Sequence, residues 1–118
     1  MKTRLLSSTL LAACLLVSSS LAFAHAVLLA STPKAHETLH GPSISVDLKF
    51  NSRIDGARST LGVLMPDGSV KPLTLSKQVA PDELTAQAQL SPGSYTLRWQ
   101  ALAIDGHITR GQIPFTVN

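Results

Sequence analysis

The sequence predicts an all-β domain, built as an antiparallel Greek-key β-sandwich or barrel of the cupredoxin-like or immunoglobulin-like kind. Short apolar runs are separated by turn residues, and no long helical period is present. Within residues 44–50 apolar and polar side chains alternate strictly, which is the signature of a half-buried strand. Proline- and glycine-containing turns recur at short intervals, so about seven strands are expected in an antiparallel arrangement.

The first half of the domain contains two predicted strands before its first hairpin. Val27–Ala30 forms a short strand that Ser31-Thr32-Pro33 ends. Residues 34–42 contain two histidines, two glycine or proline positions and no apolar period, so they are expected to be irregular. The alternating segment Ile44–Phe50 is the second strand.

The central part predicts a hairpin followed by a loop and another strand. Leu61–Met65 and Val70–Leu75 flank Pro66-Asp67-Gly68, a strong turn sequence. A polar loop covers residues 77–83, and apolar residues then alternate again over residues 84–90.

The last part predicts two strands joined through Asp105-Gly106-His107. Tyr95–Ala101 alternates, and Ile113–Val117 closes the domain. Because Pro114 has no N–H, the final strand is expected to lie at a sheet edge or to have one unpaired position there.

The amino-terminal 24 residues are expected to be a secretory signal peptide, leaving a domain of residues 25–118. Lys2 and Arg4 precede an apolar stretch, and Ala22-Phe23-Ala24 is a small-residue cleavage site. Cleavage there would export the chain to an oxidising compartment. An alternative is lipidation of Cys14, which ends a lipobox-like Leu11-Ala12-Ala13-Cys14 sequence.

The composition of the remaining 94 residues excludes several kinds of site. Once Lys2 and Arg4 leave, the ten Lys and Arg become eight against seven Asp and Glu, so nothing favours nucleic acid or an anionic membrane as a partner. The only cysteine, Cys14, lies in the leader, and only Met65 remains as a thioether. Thiolate metal sites and a methionine-rich Cu(I) site are therefore excluded.

His25 would be the first residue of the processed protein. A free α-amine and an imidazole Nδ1 on one residue can chelate a single metal ion, which no internal histidine can do because its main-chain nitrogen is an amide.

Asp105 and His107 form a second group of metal-ligand type. In extended chain, residues i and i+2 point to one face, so carboxylate and imidazole would converge. With His25 they supply three nitrogens and one oxygen, a set that suits tetragonal Cu(II). Alternatively, Asp105-Gly106 is only a turn and His107 only a surface residue. His36 and His40 are interpreted as solvated loop histidines, with weak metal affinity as the less favoured alternative.

The chain resembles the CopC family of periplasmic copper-binding proteins over essentially all of residues 25–118. The resemblance rests on His25-Ala26-Val27 with Ser31-Thr32-Pro33, on the strand Val46–Phe50, and on Pro92–Ala101 followed by Asp105-Gly106-His107, Gly111 and Phe115–Val117. It implies that His25, Asp105 and His107 bind one Cu(II) per chain, and that the partner is a CopD-type inner-membrane protein. Two features depart from the family pattern: the lack of a methionine-rich loop, and Asn51-Ser52-Arg53 where members often have a Ser-Glu pair.

The expected function is therefore periplasmic copper buffering or delivery, as part of copper homeostasis or resistance, without catalysis. Two alternatives stay open. One is an oxidative copper enzyme with a histidine brace, and the other is an immunoglobulin-like interaction module that binds no metal.

Overall fold

The computed structural model describes residues 26–118, which form eight strands and one short 3₁₀ helix, Gly56–Arg58. The strands are β1 (Leu28–Thr32), β2 (Glu37–Leu39), β3 (Ser43–Phe50), β4 (Thr60–Leu64), β5 (Val70–Leu73), β6 (Glu83–Gln89), β7 (Gly93–Leu102) and β8 (Ile108–Val117). The predicted signal peptide, with its cleavage site and Cys14, lies outside the described residues. Within residues 26–118 no helix is long and apolar enough to span a membrane.

The strands form two sheets, which confirms the predicted β-sandwich. One sheet has the order β1-β3-β6 and the other β2-β8-β7-β4-β5. The chain crosses between them after β1, β2, β3, β5 and β6. All neighbours are antiparallel except β2 and β8, which run parallel.

The core lies between the sheets and follows the alternation in the sequence. Every second residue of β3 is at most 2 % exposed, namely Ile44, Val46, Leu48 and Phe50. Phe50 meets Trp99 of the opposite sheet edge-on, with ring centroids 5.3 Å apart. Burying one such side chain contributes about 1.5–3 kcal/mol, so these positions hold the two sheets together.

Several predicted elements differ from the structure, and the largest difference in length is in β8, which begins at Ile108 and not at Ile113. Residues 34–42 are not wholly irregular, because Glu37–Leu39 forms β2 against β8. A strand of three residues is too short to show a period, so its pairing depends on the neighbouring strand. β1 spans Leu28–Thr32 rather than Val27–Ala30, and β5 ends at Leu73, although Leu75 still bridges to Ala86.

Pro114 does not lie in an edge strand, because β8 has β2 on one side and β7 on the other. Its carbonyl accepts a hydrogen bond from the main-chain N–H of His36 at 2.7 Å. In a strand the nitrogen and carbonyl of one residue point to the same side, so the proline nitrogen also faces β2. The lack of an N–H on Pro114 therefore removes no hydrogen bond between β7 and β8.

The outer strands of both sheets carry features that limit further pairing. β1 has a register shift between Leu28 and Ala30, and β2 has only three residues. β5 contains Pro72 next to Lys71. The outer side of β6 is partly covered, because the N–H of Ser76 donates to the carbonyl of Thr85 at 2.8 Å.

Gly111 provides the space in which the indole of Trp99 lies. A Cβ atom at residue 111 would come within 2.4–2.5 Å of three atoms of that ring. We expect Gly111→Ala to lower the free energy of unfolding by about 1–3 kcal/mol, the usual range for overpacking a core. Chemical denaturation followed by Trp99 fluorescence measures the loss. Gly93→Ala is the control, since the nearest atoms there are 3.4 Å away; equal stability of both variants would contradict the prediction.

Candidate metal centre

Asp105 and His107 lie in the hairpin turn that joins β7 to β8. The N–H of Gly106 donates to the carbonyl of Ala103 at 2.9 Å, and the N–H of Ala103 donates to the carbonyl of His107 at 2.8 Å. Gly106 has a φ of +93°, in the left-handed region that glycine tolerates. This is the pattern of a three-residue hairpin loop with a glycine bulge, so the two candidate ligands are part of a tight turn.

The turn brings the two side chains together. One carboxylate oxygen of Asp105 accepts the main-chain N–H of His107 at 3.1 Å, and Oδ2 lies 3.0 Å from His107 Nδ1. Their convergence was expected from extended chain, but that premise is wrong, because residues 104–107 lie outside the strands. An aspartate that caps the backbone two residues ahead produces the contact instead.

The geometry of this pair fits a metal ligand set. Both side chains are about two-fifths exposed, although the Nδ1 atom of His107 is itself shielded from solvent. Two atoms bound to one first-row divalent ion at about 2.0–2.1 Å, at a right angle, lie about 2.8–3.0 Å apart. The 3.0 Å between Oδ2 and Nδ1 therefore permits both atoms to ligate one ion with little movement. Nitrogen and carboxylate oxygen together suit Cu(II) in a tetragonal site.

A neighbouring segment, residues 51–55, fixes the base of the turn. The carbonyl of Arg53 accepts the N–H of Ile104 at 3.0 Å, and the N–H of Asp55 donates to the carbonyl of Leu102 at 2.8 Å. Between them Ile54, only 4 % exposed, forms an isolated bridge with Ala103. The main chain just before the exposed ligand pair, residues 102–104, is thus fixed by contacts with residues 53–55.

The same segment holds the first described residues of the chain. Ala26 is 1 % exposed and belongs to the core. The N–H of Val27 donates to Oδ1 of Asn51 at 2.7 Å, and the N–H of Asn51 donates to the carbonyl of Val27 at 3.0 Å. His25 itself lies outside the described residues, so its role stays a prediction. Residues 26–27 and the turn are nevertheless bound to one stretch of five residues.

The other two histidines lie away from this turn. His36 has a φ of +64° and contacts Pro114, seven residues and roughly 20 Å of extended chain beyond His107. It lines a cavity of about 560 Å³ with Met65 and Tyr95. His40 is exposed after β2. Among residues 26–118 no three His, Cys, Asp or Glu side chains are grouped as metal ligands. His25, the third predicted ligand residue, precedes that range.

Comparison with known proteins identifies the family. The CopC domain family model matches residues 28–118. The chain belongs to the CopC family. Over 124 aligned residues it is 28 % identical to copper resistance protein C of Xanthomonas campestris pv. juglandis, covering 97 % of this chain and 96 % of that protein.

Solved structures agree with this assignment. CopC from Methylosinus trichosporium OB3b superimposes with a TM-score of 0.71 at 32 % identity, over 80 % of this chain and 94 % of the other. PcoC, a methionine-rich copper resistance protein from Escherichia coli, gives a TM-score of 0.68 at 24 % identity, over 80 % of this chain and all of that chain; at this identity the likeness concerns the fold. These neighbours confirm the predicted sandwich.

Sequence reasoning missed the residues that support the turn. Asn51 was noted only as a departure from the family pattern, and Ile54 and Ser59 were not singled out. Ser59 is 5 % exposed; its hydroxyl donates to the carbonyl of Asp55 at 2.7 Å and accepts the N–H of Leu102 at 3.0 Å. The sequence around Ser59 shows only a turn-like Asp55-Gly56 pair, and the main-chain partner of Ser59 at Leu102 is 43 residues away in sequence.

Gly106→Ala tests whether the turn orders the ligand pair. Gly106 and Gly68 have similar φ values, +93° and +89°, and no atom lies within 4 Å of either added Cβ. Each Ala variant should therefore lose about 1–2 kcal/mol of folding free energy through backbone strain alone. Only Gly106→Ala should shift the NMR resonances of the His107 ring, since Gly68 lies in the other hairpin. Unchanged His107 resonances in Gly106→Ala would show that the turn does not determine the arrangement of the Asp105 and His107 side chains.

Proposed function

We propose that this protein is a periplasmic carrier or buffer that binds one Cu(II) per chain and contributes to copper resistance. Its ligands are the α-amine and imidazole of His25, an imidazole nitrogen of His107 and a carboxylate oxygen of Asp105. The observation that carries the proposal is the 3.0 Å contact between Asp105 and His107 on a turn that shares its supporting segment with residues 26–27. Membership of the CopC family, with a copper resistance protein as a relative, supports copper as the ion.

The ligand set suits the binding and release of Cu(II). Three nitrogens and one oxygen favour Cu(II), the divalent first-row ion with the highest affinity for such sites. Exposed ligands allow the ion to exchange with another protein. The family resemblance suggests a CopD-type inner-membrane protein as the acceptor. Cleavage after Ala24 is required, because only a processed chain has a free amine on His25.

The first test is a variant that carries a four-residue extension before His25, removable by a site-specific protease. One or two extra residues would not serve, because an amine, an amide nitrogen and the imidazole of a histidine at the second or third position chelate Cu(II) by themselves. In the longer variant every side chain is retained, but the amine of His25 becomes an amide, so Cu(II) affinity measured by competition titration should fall by orders of magnitude. Removing the extension should restore it. Equal affinity with and without the extension would disprove the role of the amine.

The second test removes the proposed side-chain ligands one at a time. His107→Ala deletes a nitrogen donor and should change the electron paramagnetic resonance spectrum of bound Cu(II). Asp105→Ala should weaken binding less, since water can replace one oxygen donor. His36→Ala and His40→Ala are the matched controls, because these histidines lie away from the turn. If a control variant altered the spectrum while His107→Ala did not, the assigned ligand set would be wrong.

A further inference from the structure

The contact between Val27 and Asn51 replaces part of a strand pairing by a side chain. β1 and β3 pair up to Leu28 and Phe50, and the chain then bends at Asn51 and Ser52. In an ordinary hydrogen-bonded antiparallel pair, two residues exchange two main-chain bonds. Here the N–H of Asn51 still donates to the carbonyl of Val27, but the N–H of Val27 donates to the side-chain oxygen of Asn51. Asn51 thereby continues the pairing one residue beyond the strand.

This contact determines the course of the chain just before β1. The side chain of Val27 is 52 % exposed, so packing holds it weakly. Ala26 is buried, and its methyl group enters the core. Residues 26 and 27 are thus fixed by one buried methyl group and by two hydrogen bonds to a single residue. An ordered backbone has already lost its conformational entropy, so a ligand attached to it binds without that penalty.

We infer that Asn51 is a positioning residue for the amino terminus: by holding Val27, its side-chain oxygen keeps His25 within reach of Asp105 and His107. The inference rests on the proposed function, since it concerns how His25 reaches the ion. Residues 51–55 supply the geometric link, because Arg53, two residues from Asn51, bonds to Ile104 at the start of the turn. A hydrogen-bond acceptor at residue 51 therefore sets the distance between two parts of one site.

The first experiment uses the metal-free protein and measures hydrogen exchange of the Val27 amide by NMR. Asn51→Ala removes the acceptor and should speed this exchange, whereas Asn51→Asp retains an oxygen there and should preserve slow exchange. Ser43→Ala is the matched control. It deletes another exposed hydrogen bond of β3, from Gln89 to Ser43 at 2.9 Å, at the far end of the strand. Equal exchange in wild type and Asn51→Ala would overturn the inference.

The second experiment measures Cu(II) affinity in a four-member cycle: the processed protein and the protein with the four-residue extension, each with and without Asn51→Ala. In the processed protein, Asn51→Ala should weaken binding by about 3- to 10-fold, the equilibrium effect of one typical hydrogen bond. In the extended protein the substitution should have a smaller effect, because the amine is no longer a ligand and only the imidazole of His25 still depends on its position. Ser43→Ala should leave the affinity of the processed protein unchanged.

The cycle separates the two ways of failing. If the extension weakens binding but Asn51→Ala does not, the proposed site stands and the positioning role is overturned. If Asn51→Ala weakens both proteins equally, the effect is independent of the amine, and the positioning role is again overturned. If the extension itself has no effect, the proposed function fails and the inference fails with it.

Discussion

The attachment of residues 51–55 to two distant parts of the chain is the constraint on which the rest of the site depends. Asn51 binds Val27, and Arg53 and Asp55 bind the end of β7 and the start of its turn. The segment cannot move away, because Ile54 is buried at its centre. Without this segment, the Asp105 turn would have no hydrogen bonds to residues 53 and 55, and residues 26–27 would have none to Asn51. A single buried isoleucine thus anchors the segment that contacts both the Asp105 turn and residues 26–27.

The molecule separates the elements that provide stability from those that carry the candidate chemistry. The core consists of alternating apolar residues from both sheets, and Asp105 and His107 are not among them. β7 and β8, ten residues each, run from the core to the hairpin turn. Buried residues continue along β7 as far as Ala101, one residue before its end, whereas those of β8 begin at Ile113, so the packing of β7 gives the turn a defined position. Functional side chains on a loop of a rigid scaffold can then vary with little effect on the fold.

Much of the fold could be predicted because most of its strands have a local sequence pattern. The alternation in β3 and β7 reports burial directly, and the turn sequences separate the elements. β2 could not be found in this way, because three residues carry no period and its partner is β8, far along the chain. The ligand pair was predicted with the wrong geometry: spacing of two suggested an extended chain, but the aspartate caps the turn. The role of Asn51 could not be predicted, because its contact with Val27 spans 24 residues and no local sequence pattern indicates it.

The treatment of the sheet edges has a consequence for the protein at high concentration. A strand with free N–H and carbonyl groups can pair with the same strand of another molecule, which starts aggregation. The bulge of β1, the brevity of β2, Pro72 in β5 and the cover over β6 each shorten or interrupt such a template. Pairing between molecules at these edges is therefore hindered by the backbone itself, since each strand offers only a short or interrupted row of free N–H and carbonyl groups.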